Sequence, residues 1–364
     1  MLLSGTNDIN KNAVKESALD IARGIAITCL VVAHYHYPDS RAYLEPHWWR
    51  ETGWAILSFL MPLFAFISGY VWTLAEKDIS RKSYAAFAAK KFRRLMAPYL
   101  GVSFLLIGAK YAAGFVTDLQ IPLGGDILWY VLADPLNENY STILWYLYSM
   151  FIVFAVSYPV RAVTRRSGVV MIGAVILSFA PWPRLFCIEK AFQLLPFFWA
   201  GVVSGENRLF ARKRLGLLFA VSAVVFAAAR MAEASGIFGF VTDAGYLLAG
   251  PPGIVMVLSA SFLAARSSAL TGLFGSLGRS AMTIYLYHTL VIGGFRTVVF
   301  SVPGLTAHWF VPAALIICCA AVVIPIFGER FILGRTAFTR VVLLGKGSTA
   351  ERSRGSTLPL NKIG

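Results

Sequence analysis

Residues 19–37 read Leu-Asp-Ile-Ala-Arg-Gly-Ile-Ala-Ile-Thr-Cys-Leu-Val-Val-Ala-His-Tyr-His-Tyr, a stretch long and apolar enough to cross a bilayer that nevertheless carries Asp20, Arg23 and His34. Ionisable groups are costly in hydrocarbon and mark substrate, ion or proton paths. An α-helix turns about 100° and rises about 1.5 Å per residue, so Arg23 and His34 fall within about 20° of one face and about 16 Å apart along the axis. They are expected to face one cavity without touching. A charge near the mouth and an imidazole deep inside suit a long substrate whose anionic end stays outside while its reactive end reaches inward.

The remainder of the chain has the same character. Of its 364 residues 57% are hydrophobic and 14% charged, with a mean hydropathy of +0.67, which excludes an ordinary soluble domain. Apolar stretches near 18–37, 53–74, 95–116, 144–163, 167–183, 190–206, 215–232, 244–265, 281–300 and 309–328 predict an all-α polytopic membrane protein with about ten transmembrane helices. If the N-terminus lies inside, most of the 33 Lys and Arg residues fall in inner loops and the tail, whereas the outer loops hold only Arg41, Arg50, Arg184 and Lys190. By the positive-inside rule both termini are expected to be cytoplasmic. The net charge of +15 then follows from topology and anionic headgroups, and nucleic acid is not needed as a partner. The organisation read from composition is a cytoplasmic leader over 1–17, a membrane domain over 18–330 and a basic, disordered cytoplasmic tail over 331–364. The first apolar segment contains charges and lacks an Ala-x-Ala-like exit, so it is expected to stay as an anchor.

Neither the four cysteines nor the five histidines have metal-ligand spacing, and no metal site is expected. His34 and His36 point about 160° apart on a helix, so only one of them can share the face of Arg23. Two readings of His34 stand: a buried histidine bonded between helices, or a general base that takes a proton from an attacking hydroxyl near neutral pH. Asp20 and Arg23, three apart at the expected helix start, fit a structural ion pair, with Asp20 at the positive end of the helix dipole.

The second apolar segment ends in Met61-Pro-Leu-Phe-Ala-Phe-Ile-Ser-Gly-Tyr70, where Ser68-Gly69 allow another helix or a ligand to come close. The following loop holds Lys77, Arg81 and Lys82, then Lys90-Lys91-Phe92-Arg93-Arg94. Lys90 with Arg93, or Lys91 with Arg94, lie one helical turn apart and fit a phosphate clamp, although a basic stop beside a membrane helix has the same appearance. The glycines Gly272, Gly275 and Gly278 follow a membrane helix and are read as an inner turn. The longest polar stretch, 117–143, is acidic and is read as an outer linker. Trp145 and Tyr146 fit either sugar stacking or a membrane-interface belt.

These residues resemble the acyltransferase 3 family of integral membrane O-acyltransferases. The resemblance rests on Asp20-x-x-Arg23-Gly24 running ten residues on to His34, Pro62-Leu63-Phe64 through Ser68-Gly69, and the basic element before Pro98-Tyr99. It continues through Leu144-Trp145-Tyr146-Leu147, Pro196-Phe197-Phe198 with Gly201, and Leu277-Gly278-Arg279-Ser280 leading to Ile284-Tyr285-Leu286-Tyr287-His288. The family pattern has Arg at the first basic position, where this chain has Lys, which keeps the charge without the bidentate geometry. The resemblance implies transfer of an acetyl group from acetyl-CoA, a cosubstrate and not a resident cofactor, to a sugar hydroxyl of a surface polysaccharide or lipo-oligosaccharide. It implies a bacterial inner membrane location. A nodulation-type enzyme that acetylates fucose is the narrower form. The assigned residues are His34 as base, with Arg23, Asp20 and secondarily His288, and Lys90, Lys91, Arg93 and Arg94 as coenzyme A contacts. The alternative is a transporter in which Arg23 and His34 form a proton or anion pathway.

Overall fold

The structure is a computed structural model, and it describes residues 2–36, 44–75, 83–115, 126–136, 142–164, 166–207, 214–235, 245–300 and 307–347. Every regular element among them is helical. In chain order these are α1 (Leu2–Ala33), α2 (His47–Ala75) and α3 (Tyr84–Lys91), which passes through a π-helical turn (Phe92–Met96) into α4 (Ala97–Ala113). Then come α5 (Ile127–Leu132), α6 (Trp145–Val163), α7 (Ser167–Ser178), α8 (Ile188–Asn207), α9 (Leu215–Ala234) and α10 (Gly245–Ala264). The chain continues with α11 (Ser268–Arg279), α12 (Ala281–Phe300), α13 (Phe310–Gly328) and α14 (Ala337–Val342).

Among the described residues, seven helical segments are long and apolar enough to cross a membrane, which makes this a multi-pass membrane protein. The other three of the ten expected stretches are also helical. The first carries Asp20 and Arg23 within α1, and the ninth carries His288 and Arg296 within α12. The fifth holds only the 12-residue α7, about 18 Å long against a hydrocarbon core of about 30 Å. Outward faces are apolar where lipid would lie: on α9, Leu217, Val221, Val224 and Val225 are all exposed, since lipid tails exact no penalty for such side chains.

Two tight crossings organise the bundle. A Cβ at Gly24 would sit 2.0 Å from the carbonyl oxygen of Phe274, and one at Gly278 would sit 1.8 Å from that of Asp20, so α1 and α11 touch backbone to backbone. The same holds for α2 and α8, where Gly69 meets the Phe198 carbonyl at 1.9 Å and Gly201 meets that of Phe66 at 2.0 Å. Small residues permit such approach, and dispersion attraction then replaces the hydrophobic drive that lipid does not supply. The glycines near Gly278 are therefore part of a packed helix and not of an inner turn. Because α1 starts at Leu2, Asp20 lies in the helix interior and not at a helix start, which removes the dipole argument for its pairing.

The acidic stretch read as a linker contains α5, and the described part is tied to the bundle. The Tyr148 hydroxyl donates to the Leu132 carbonyl at 3.1 Å, and that of Tyr99 to the Val131 carbonyl. Residues 331–347, read as the start of a disordered tail, instead end the π-helical turn Glu329–Leu333 and form α14, with Leu344 buried. Glu329 accepts from the Thr283 hydroxyl and pairs with Lys346, and Tyr287 donates to the Leu343 carbonyl at 3.1 Å. Residues 348–364 lie outside the described residues, as do Lys77, Arg81 and Lys82.

Candidate functional site

A cavity of about 480 Å³ opens between α1, α2, the α3–π-turn segment, α6 and the α11–α12 junction, within the roughly 300–1,000 Å³ usual for small-molecule sites. Asp20 and Arg23 enter it from α1, and Lys90, Lys91 and Arg94 from the basic segment. Arg279 joins the lining from the end of α11. Five basic side chains thus share the lining with one carboxylate, and Asp20 is already paired with Arg23 at 2.7 Å. Arg94 lies close enough to Arg23 for the two guanidinium groups to repel. Such an excess of like charge is held together most readily by a bound polyanion.

The basic segment owes its arrangement to the π turn over Phe92–Met96, a feature that often accompanies function. Lys91 and Arg94 face the cavity, whereas Arg93 is not among the lining residues, so of the two clamps offered by the spacing only the second forms. The Lys91 ammonium rests over the Phe154 ring, 3.4 Å from its centroid, and 5.3 Å from that of Phe87. These cation–π interactions hold its head at the rim. The backbone of the turn is braced from below by Gly345, where a Cβ would lie 2.3 Å from the Arg94 carbonyl oxygen.

Tyr146 from α6 and Tyr285 from α12 line the cavity beside Phe64 of α2. Tyr146 and Tyr285 meet edge to face with centroids 6.0 Å apart. The Tyr285 hydroxyl donates to the Ile143 carbonyl at 2.6 Å and also bonds the backbone of Tyr146. The Tyr146 hydroxyl bonds the Ser68 side chain. Trp145, read beside Tyr146 as a sugar-stacking candidate, does not line the cavity.

The histidines lie beyond Tyr285. The Tyr285 ring is 6.2 Å from that of His288, and His288 meets His34 edge to face at 5.1 Å. Neither imidazole is among the cavity's lining residues. The expectation that Arg23 and His34 open onto one cavity is thus corrected: α12 places Tyr285 between the cavity and the imidazoles. His34 Nδ1 lies 2.9 Å from the Leu30 carbonyl, and His288 Nδ1 lies 2.8 Å and 3.1 Å from the carbonyls of Tyr285 and Ile284. A carbonyl only accepts, so each Nδ1 carries the hydrogen and, in the neutral ring, the lone pair is on Nε2. The bonds run to carbonyls of each histidine's own helix, not between helices. His288 is fully buried and its Nε2 has no hydrogen-bond partner among the described residues. His36 differs, with Nδ1 2.8 Å from the Glu45 carboxylate and Nε2 2.7 Å from the Ala33 carbonyl. Both of its nitrogens are engaged, which leaves His34 as the histidine of the pair with a nitrogen to spare.

Sequence reasoning named Asp20, Arg23, Lys90, Lys91, Arg94, His34 and His288, and the fold sorts them into the cavity group and the imidazole pair. It gave no role to Arg279. The signal was present in the glycine spacing before it, because close approach of α11 to α1 puts the last basic residue of α11 beside Asp20 and Arg23.

Residues 16–328 match the acyltransferase domain of the acyltransferase 3 family. The chain is also similar to the nodulation protein NolL of Mesorhizobium japonicum, 24% identical over 232 residues, which are 61% of this chain and 56% of that protein. It therefore spans little more than half the length of this curated relative. No solved structure matches it. The family match takes in α2 to α13 and the part of α1 that carries Asp20, Arg23 and the approach to His34, and the protein belongs to the acyltransferase 3 family of membrane acyltransferases.

Proposed function

We propose that this protein transfers an acetyl group from acetyl-CoA to a hydroxyl of a sugar on a surface polysaccharide or lipo-oligosaccharide, in a bacterial inner membrane. The observation that carries the reading is the single cavity in which Arg23, Lys90, Lys91, Arg94 and Arg279 converge, with an imidazole pair beyond Tyr285. The phosphates of coenzyme A would rest on the basic walls, and the pantetheine arm would carry the thioester toward Tyr146 and Tyr285. In this reading His34 is the general base. Its Nε2 takes the proton of the acceptor hydroxyl as that oxygen bonds to the thioester carbonyl carbon, the carbon–sulfur bond breaks, and the proton passes to the departing coenzyme A thiolate. His288, confined in an apolar site, keeps the pair from being doubly charged and orients the His34 ring. Arg93, outside the cavity, is assigned a lesser part in donor binding.

Fucose of a lipochitooligosaccharide is the narrower acceptor. It is supported by the likeness to nodulation-type enzymes and by the similarity to a nodulation protein. The test is free-thiol release from acetyl-CoA by the purified protein in nanodiscs, with and without a pool of methyl glycosides that includes methyl fucoside, for wild type and His34→Ala. Release stimulated by acceptor and lost on substitution supports transfer. No release together with no acetyl-CoA binding would favour a transporter that uses Arg23 and His34 as an ion pathway.

A further inference from the structure

We infer that Glu329 and Lys346 are positioning residues for donor binding, holding the segment around α14 against the basic turn so that Arg94 lines the cavity; the inference rests on the donor reading above. Both residues lie past the stretch 16–328 that matches the family. The chain nevertheless returns there to the site. Thr336 caps α14, its hydroxyl oxygen accepting from the Thr339 N–H at 3.1 Å, and the Thr339 hydroxyl donates to the Leu333 carbonyl at 2.6 Å. The far end closes at Gly345, whose φ of 62° is the left-handed conformation that glycine adopts without strain. There the Gly345 N–H donates to the Val341 carbonyl at 3.2 Å and the Lys346 N–H to that of Arg340 at 2.9 Å.

This closure sets Gly345 directly on the π turn. A Cβ there would lie 2.3 Å from the Arg94 carbonyl oxygen and 3.0 Å from Pro98 Cγ, and one at Gly101 would lie 2.5 Å from the Val342 carbonyl oxygen. Backbone meets backbone, so a shift of the segment passes directly to the turn. The next residue, Lys346, pairs with Glu329, which also accepts from the Thr283 hydroxyl. Thr283 is fully buried, and its neighbours in α12, Ala281, Met282 and Tyr285, line the cavity. Glu329 therefore ties the α12 side of the cavity to the segment that backs Arg94. The Tyr287 hydroxyl, on the Leu343 carbonyl at 3.1 Å, adds a second tie from α12. A guanidinium that has to meet a phosphate in hydrogen-bond geometry loses affinity when its backbone drifts.

The experiment measures acetyl-CoA binding by isothermal titration, and thiol release with the same methyl glycoside pool, for the full chain in nanodiscs. Lys346→Met keeps the stem and removes the charge; it is expected to weaken acetyl-CoA binding and raise its KM by about 3- to 10-fold with kcat little altered. Glu329→Gln should act likewise, and Lys346→Arg should stay near wild type. Lys346 is part-exposed, and Gln can still accept the Thr283 hydroxyl, so both disruptive variants should fold. A double-mutant cycle with Arg94→Ala decides how they act. If Lys346 works through Arg94, Lys346→Met adds little further loss of affinity in the Arg94→Ala background, whereas a merely structural role would lose the same factor in both. Unchanged binding in both Lys346→Met and Glu329→Gln, or an equal loss in the two backgrounds, would overturn the inference while leaving the donor reading standing. Wild-type protein that binds no acetyl-CoA would instead defeat the donor reading, and this inference with it.

Discussion

His34 and His288 stand edge to face, 5.1 Å between ring centroids, each with Nδ1 turned back to a carbonyl of its own helix. The pair joins the end of α1 to the middle of α12 and leaves both rings in the tautomer whose basic nitrogen is Nε2. Replacing His34 with Ala removes the proposed base but little packing, since the residue is only half-buried. Acceptor-dependent thiol release should fall by about 10²–10⁴-fold, with unchanged gel-filtration behaviour. Full activity in this variant would discard the assignment.

His288 is expected to respond differently. Its Nε2 is buried without a partner among the described residues, so His288→Gln, similar in size and still polar, should slow turnover by shifting the His34 ring while donor KM changes little. A rise in KM with unchanged kcat would move His288 out of the reacting end and into donor binding.

The basic walls make a prediction that separates neighbouring residues. Lys91→Ala with Arg94→Ala should raise the KM for acetyl-CoA by about 10- to 100-fold, because the donor phosphates would then lack two charge-assisted hydrogen bonds at a half-exposed rim. Arg93→Ala should do much less, because Arg93 does not line the cavity. Titrating donor at two salt concentrations checks this, and equal effects of Arg93 and Arg94 would reject the clamp.

Arg279→Gln is expected to weaken acetyl-CoA binding with kcat little altered, as for a residue that touches only the donor's charged end. Isothermal titration with acetyl-CoA in nanodiscs reads it directly. Affinity equal to wild type would remove α11 from the site.

Gly278→Ala should be among the most damaging small substitutions in the chain. Its Cβ would lie 1.8 Å from the Asp20 carbonyl oxygen, a backbone atom that cannot yield without parting α1 from α11. Lower thermal stability in detergent should accompany weaker donor binding, since Asp20, Arg23 and Arg279 flank this crossing. Gly345→Ala, at φ 62° and 2.3 Å from the Arg94 carbonyl oxygen, should cost about 1 kcal/mol or more in stability and disturb the basic turn from the other side.

Much of the fold was legible because its cause is local. A run of about 20 apolar residues has to hydrogen-bond its own backbone in lipid, so it is helical wherever it sits in the chain. Each of the ten expected stretches holds a helix among the described residues, and seven of these are long and apolar enough to cross a membrane. Residues 331–347, grouped with the tail by the composition of the whole 331–364 stretch, are ordered in the structure because they are locally apolar, as at Phe331, Ile332, Val341, Val342 and Leu344, and because Glu329 and Tyr287 bond Lys346 and the Leu343 carbonyl.

By itself the sequence determined the membrane class, the resemblance to acyltransferases, and the spacing of Arg23 from His34, because an α-helix is rigid and its geometry is known in advance. It also supplied both possible basic clamps. Only the tertiary structure decided that Lys91, Arg94 and Arg279 line one cavity with Tyr146 and Tyr285, and that His34 meets His288 beyond Tyr285. Those relationships join helices far apart in the chain, and they depend on the backbone approach at Gly24 and Gly278 that sets how α1 meets α11. No periodicity within a single segment encodes them.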